Sequence, residues 1–183
     1  MTDESAILAP GAGDSDVHGS MITATLAGSL GTLLSELLDG PPHGGDAYML
    51  NSGDEGLLRS IDKLSPAAAS ARPTGGASIA AHVDHLVYGL SLLNQWSAGA
   101  SPFDDANWAE SWTHTQVDDQ RWRELRVALR REARQWLDAV RASGDADPVA
   151  LNTIVGSIAH LAYHLGAIRQ IDRSIRGPSA VGT

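Results

Sequence analysis

Two histidines four residues apart, His160 and His164, lie in a long C-terminal segment whose apolar residues recur at helical spacing. Residues four apart share one face of a helix, so both imidazoles can reach the same ion. For this reason the spacing recurs in helical metal sites. A third imidazole would complete a facial site, and another amphipathic segment offers His82 and His85. The sequence therefore predicts a divalent metal held by three imidazoles, and the spacing leaves open which of the last two is used.

A metal ion held by three imidazoles could bind water or a substrate. Three neutral imidazoles leave coordination positions free for water or substrate, which is typical of catalytic rather than structural zinc sites. Gly89 and Gly166 lie near the histidines inside predicted helices, where glycine is about 1 kcal/mol less favourable than alanine. They indicate either room for a ligand or close helix packing. The simpler interpretation of the histidines is that they only pack or hydrogen-bond.

Four long segments with helical periodicity must position these histidines. They run from about residue 21 to 38, from 78 to 97, from 117 to 142 and from 148 to 175, with a short helix over 54–64 and loops over 66–76 and 97–107. Ser78 is the expected N-cap of the second long helix, and Asp147-Pro148 opens the fourth. Without a strand or repeat pattern, the sequence predicts an all-α four-helix bundle with a long crossover between the first two long helices. Residues 1–19 and 177–183 are expected to be tails flanking the bundle at 20–176.

Composition restricts the possible partners and chemistry. The 183 residues suit one domain, and a net charge of −9 argues against a nucleic-acid or anionic membrane partner. The absence of cysteine excludes disulfides, thiolate zinc sites and a cysteine nucleophile. No apolar run is long enough to span a membrane, and the acidic N-terminus is unlike a secretory signal. We expect a cytoplasmic protein.

Two segments resemble a known family. Ser78–Leu86 (SIAAHVDHL) and Ile158–Gln170 (IAHLAYHLGAIRQ) are similar to the signature segments of the DinB-like superfamily, also called YfiT-like metalloenzymes. The tryptophan-bearing segment Asn107–Trp112 (NWAESW) gives weaker support, and the likeness extends over about residues 20–176. The resemblance implies a four-helix bundle, commonly dimeric, with one divalent ion bound by one histidine of the second helix and two of the fourth.

Carried over by position, the resemblance implies His85, His160 and His164 as the metal ligands. His85 is preferred to His82 because of the family's usual distance from the serine that opens the helix, and because its angular offset matches that of His160 better. Zinc or nickel is the expected ion, with iron as a further candidate. His82, Trp108, Trp112 and Tyr163 are candidates for substrate binding. A homodimer is also implied, for which the sequence itself offers only a tryptophan-rich third helix.

The resemblance further implies a metal-dependent thiol S-transferase or isomerase. Family members of known activity use low-molecular-weight thiols such as bacillithiol or mycothiol, and the lack of cysteine agrees with a thiol supplied by a cosubstrate. Two alternatives remain open: a non-catalytic, stress-related module that binds metal or a small ligand, and a metal-dependent hydrolase. The hydrolase is less favoured, because no glutamate follows a ligand histidine as in HExxH proteases.

Overall fold

The computed structural model describes residues 14–73, 75–144 and 146–179, and over these residues it is all-helical, as predicted. The helices are α1 (Asp14–Asp39), α2 (Gly56–Asp62), α3 (Pro66–Ser70), α4 (Ile79–Ser97), α5 (Asp119–Ala142) and α6 (Pro148–Ile171). Single 3₁₀ turns lie at Glu110–Trp112 and Arg173–Ile175. None of the helices in this described part of the chain is long and apolar enough to cross a membrane.

Side-chain caps set the first residues of the two helices that carry the histidines. The Ser78 hydroxyl accepts a hydrogen bond from the N–H of Ala81 at 3.2 Å and opens α4. The Asp147 carboxylate accepts one from Ala150 at 2.8 Å and opens α6, with Pro148 at the first position. Both predicted starts are confirmed. A cap of this kind contributes about 1 kcal/mol and fixes where the helical phase begins.

Three elements differ from the expectation. α6 ends at Ile171 instead of about Ile175, and the separate 3₁₀ turn Arg173–Ile175 follows it. α1 begins at Asp14 instead of Met21, so the helix continues beyond the apolar repeat, and extending a formed helix needs no new nucleation. α3 forms inside the predicted loop 66–76, where Ser65 accepts a hydrogen bond from Ala68 and Pro66 takes the first helical position. A serine followed by proline is a typical helix start, so the sequence contained the information needed to predict α3. Of the predicted tails, residues 1–13 and 180–183 lie outside the described residues.

The core is built from all four long helices. Both α1 and α4 contact α5 and α6. Trp122 and Trp136 of α5 are fully buried, and their indole N–H groups donate to the Leu64 carbonyl and the Ser157 hydroxyl at 2.8 and 2.9 Å. Buried indoles need such acceptors. The tryptophans of the third long helix therefore form core and do not supply the exposed surface from which dimerisation was expected.

The long connection from α1 to α4 is bonded to both α1 and α6. The buried Glu36 carboxylate of α1 accepts hydrogen bonds from the backbone N–H groups of Tyr48, Met49 and Leu50 at 2.7 to 3.1 Å. Farther along, the buried Asp54 carboxylate pairs with Arg169 of α6 at 2.7 Å. The connection thus ties the C-terminal part of α6 to α1, and α6 is the helix that carries two of the candidate ligands.

The Glu36 contact predicts a measurable loss of stability. Glu36→Gln replaces one acceptor oxygen by an N–H₂ donor facing backbone N–H groups, so we expect the free energy of unfolding to fall by about 1–3 kcal/mol. The matched control is Glu124→Gln on the exposed surface of α5, where we expect less than about 0.5 kcal/mol. Urea unfolding followed by circular dichroism measures both. Equal stability of the two variants would contradict this role of Glu36.

Candidate metal centre

Three imidazoles from two helices converge at the contact between α4 and α6. The Nε2 atom of His160 lies 3.2 Å from Nε2 of His85 and 2.9 Å from Nε2 of His164. The ligand nitrogens of the three residues all lie within 4.8 Å of one another. His160 and His164 meet because of their four-residue spacing, whereas His85 meets them only because α4 packs against α6. These three histidines could hold a metal ion.

Two of the three nitrogen separations fit a coordination sphere, and the third, between His85 and His164, is within 4.8 Å. At zinc–nitrogen distances of 2.0–2.1 Å, two ligand nitrogens lie about 2.9 to 3.4 Å apart for bond angles between right-angled and tetrahedral. The observed 3.2 and 2.9 Å fall in that range. The three converging ring nitrogens carry too few protons for each nitrogen to take part in a hydrogen bond with its neighbours. A cation at their centre would satisfy every lone pair at once.

The outer nitrogen of His85 is held by Ser111. Its Nδ1 lies 2.8 Å from the Ser111 hydroxyl, and that hydroxyl donates its own hydrogen to the Trp108 carbonyl at 2.7 Å. The hydroxyl must therefore accept from His85, which places the proton of His85 on Nδ1. The lone pair of Nε2 is then directed at the centre. Hydrogen bonds of this type fix the tautomer and ring orientation of metal-binding histidines.

His82 holds the outer nitrogen of His164 in the same way. The two Nδ1 atoms lie 2.8 Å apart, so one of them carries the shared proton. With that proton on His164, its Nε2 lone pair faces the centre and Nδ1 of His82 accepts. His82 thus lies one shell outside the three converging nitrogens, and both residues are buried.

The predicted substrate-binding residues occupy different surroundings. The Trp112 ring stacks on His85 with centroids 4.2 Å apart and meets His82 edge-on at 5.2 Å, so it forms a wall of the imidazole cluster. Tyr163 is 68% exposed and packs edge-on against His164. Of the four candidates, Trp108 alone lines the cleft beside the cluster, whereas His82, Trp112 and Tyr163 do not.

A cleft of 440 Å³ opens from the cluster between α4 and α6. His85 and His160 line its inner end, while His164 is 1% exposed and lies behind them. Most of the wall is apolar and comes from Leu86, Leu90, Leu93, Phe103, Trp108 and Leu161. An ion held by the three histidines would therefore have its accessible side toward this cleft.

Comparison with known families places most of the chain in one family. The sequence model of the DinB superfamily matches residues 50–168, which is more than half of the chain. The chain belongs to the DinB superfamily. The predicted resemblance is confirmed, and the matched segment contains His85, His160 and His164. Searches among curated proteins and among solved structures find no match.

The imidazoles of this DinB superfamily protein are held neutral by their surroundings. Burial, followed by repulsion from His160 and His82, lowers the pKa of His85 to about 4. Burial and the three neighbouring histidines lower the pKa of His164 to about 3. Burial also lowers the pKa of His82 and of His160. Neutral imidazole is the form that binds metal, so the cluster is already in its ligand state at neutral pH.

The described residues place no carboxylate in the cluster. Asp84, one residue before His85, bonds His114 at 2.7 Å and Arg121 at 3.2 Å instead. A carboxylate general base of the kind used by zinc hydrolases is therefore lacking among the described neighbours of the three histidines.

Sequence reasoning missed several residues of the site. Ser111 lies inside the segment Asn107–Trp112, which drew attention only through its tryptophans. Gly156 of α6 faces the cleft, with no atom within 4 Å of the position a Cβ would take. Its signal was a glycine inside a helix, one turn before His160. A Cβ added at Gly89 would lie 3.6 Å from the Trp108 ring. A Cβ added at Gly166 would meet no atom within 4 Å, and Gly166 does not line this cleft.

Removing the hydrogen bond to His164 should weaken metal binding without abolishing it. For His82→Leu we expect an affinity about 10- to 100-fold lower, because the ring orientation and tautomer of His164 are no longer fixed. His114→Leu is the matched control, since His114 bonds Asp84 outside the cluster. Competition with a chromophoric chelator measures both affinities. Wild-type affinity in His82→Leu would contradict the assigned role.

The lowered pKa values predict a pH-dependent stability of the metal-free protein. The unfolded chain takes up protons near the ordinary histidine pKa of 6.5, but folded His85 and His164 do so only near pKa values of about 4 and 3. The unfolded state therefore binds more protons, and the free energy of unfolding falls as pH drops below 6.5.

Urea unfolding at pH 7, 6 and 5 in the presence of a chelator measures this dependence. His164→Gln removes one such group, so its slope should be smaller by up to about 1.4 kcal/mol per pH unit. Comparing slopes cancels the titration of carboxylates common to both proteins. Identical slopes for the wild type and His164→Gln would contradict the prediction.

Proposed function

We propose that this DinB superfamily protein is a four-helix-bundle metalloprotein that binds one divalent ion through His85, His160 and His164 and transfers a low-molecular-weight thiol to an electrophile. The observation that carries the metal site is the convergence of three Nε2 atoms at 2.9 and 3.2 Å beside an accessible cleft. Family membership supports the same assignment. Zinc or nickel suits three imidazoles, and iron is a further candidate.

The residues of the chain have separate tasks in this proposal. A divalent ion bound there would lower the pKa of a thiol at an open position and raise its thiolate fraction at neutral pH. The three histidines hold the site, Ser111 and His82 orient the rings of His85 and His164, and burial keeps the imidazoles unprotonated. The thiol sulfur forms a bond to an electrophilic carbon as the bond to the leaving group breaks. The leaving group keeps the electron pair, and the thiol proton passes to water.

A non-catalytic metal- or ligand-binding module is the second candidate. It is favoured by the hydrogen-bonding of the cluster, in which His82, His85 and His164 all have ring nitrogens engaged and no described carboxylate takes part. Thiol transfer needs no such base, because the thiolate is generated by lowering its pKa. Hydrolysis of a bound substrate is less well supported, because no described carboxylate lies in the cluster to act as its general base.

Metal content tests the site. Elemental analysis of zinc- or nickel-saturated protein after dialysis should find about one ion per chain in the wild type. His85→Ala, His160→Ala and His164→Ala should each lose the ion, because two imidazoles do not hold it through dialysis. His114→Ala, in an exposed histidine outside the cluster, should keep it. An unchanged metal content in the three cluster variants would refute the site.

Thiol binding separates the two candidate functions. In cobalt-loaded protein, a thiolate that enters the coordination sphere changes the visible spectrum, and faster S-alkylation of that thiol by an alkyl halide would support the transferase. Protein that binds one ion per chain but neither changes its spectrum nor consumes thiol would overturn the transferase and leave the binding module.

A further inference from the structure

The cleft beside the candidate metal centre is lined mostly by apolar groups. None of the described residues that line it carries a charged side chain, and six of them are leucines, phenylalanine or tryptophan. A charged ligand group would lose its hydration there without gaining a partner. An apolar group would gain about 25 cal/mol for each Å² removed from water. The residues that line the cleft therefore disfavour a charged ligand group.

The two hydroxyl groups among the described residues of the cleft already bond neighbouring groups of the protein. Ser157 donates to the Ile154 carbonyl at 2.7 Å and accepts from the Trp136 indole at 2.9 Å. Thr153 donates to the Val149 carbonyl at 2.8 Å. The hydroxyls of Ser157 and Thr153 therefore offer a ligand no hydrogen-bond donor.

These observations indicate which of the two substrates of the proposed reaction the cleft binds. Thiols such as bacillithiol or mycothiol carry many sugar hydroxyls, which would be desolvated in this cleft without compensating hydrogen bonds. Resting on the proposed function, we infer that the cleft binds the uncharged aromatic or aliphatic group of the electrophile, with its reactive carbon toward His85 and His160. The thiol then approaches the centre from outside the cleft.

Gly156 sets the space available to that group. It lies one turn before His160 on α6, and a side chain added there would point into open space within the cleft. Trp108, which is 41% exposed, offers a ring on the loop side on which an aromatic ligand can stack. A volume of 440 Å³ is in the range of sites that enclose small organic molecules.

The test compares Gly156→Leu with Gly166→Leu. Both glycines lie in α6 with nothing within 4 Å of a Cβ position, but Gly166 does not line this cleft. The probes are 2-naphthalenemethanol and 2-naphthoate, which share a ring system and differ in charge. Binding to the full-length protein is measured by calorimetry, both metal-free and zinc-loaded, so that coordination of the carboxylate is recognised.

We expect the metal-free wild type to bind the alcohol at least about tenfold more tightly than the carboxylate. Gly156→Leu should weaken binding of the alcohol by about tenfold or more, and Trp108→Ala should also weaken it, while Gly166→Leu stays within about twofold of the wild type. No binding of the alcohol to the wild type, or equal binding to both leucine variants, would overturn the inference.

A kinetic measurement keeps this inference distinct from the proposed function. With a thiol and either 2-(bromomethyl)naphthalene or iodoacetamide, Gly156→Leu should raise KM for the naphthyl electrophile and leave KM for iodoacetamide and for the thiol unchanged. An increase in the KM of the thiol would show that the thiol occupies the cleft and would refute the division. If the protein transfers no thiol at all, the calorimetric result still decides what the cleft binds.

Discussion

The contact between α4 and α6 is the constraint on which the candidate site depends, because it brings four imidazole rings together, three of them buried and that of His160 half-buried. Burial and mutual repulsion prevent them from carrying protons at neutral pH, as the lowered pKa values of His85 and His164 show. Neutral rings in such a cluster need partners for their nitrogens. Ser111 and His82 bond the outer nitrogens of His85 and His164, and the Nε2 atoms of these two rings both contact Nε2 of His160.

The rest of the fold holds these two helices in place. Trp136 of α5 donates to Ser157 of α6, and Arg169 pairs with the buried Asp54 of the crossover. The crossover is in turn bound to α1 through Glu36. Breaking a buried pair such as Asp54–Arg169 leaves an uncompensated charge, which is strongly unfavourable. The long connection is therefore part of the support of the site.

The surroundings of the imidazole cluster differ between its two sides. Trp112 and His82 close one side with aromatic contacts, and the accessible side opens to an apolar cleft. In the proposed function, an ion held by the cluster would activate a polar reactant at one end, and the wall of the cleft would hold an apolar one. This separation of polar and apolar binding is the physical basis of the proposed division between thiol and electrophile.

The sequence by itself determined what depends on local interactions. Helix starts at Ser78 and Asp147 follow from caps within a few residues, and the pairing of His160 with His164 follows from one helical turn. Tertiary structure decided the rest. His82 and His85 lie on the same side of α4, and only the packing of α6 and of the turn carrying Ser111 directs Nε2 of His85 to His160 and Nδ1 of His82 to His164. The cleft is likewise a product of packing, because its walls come from α4, α6 and the loop between α4 and α5, and no local pattern records such a meeting.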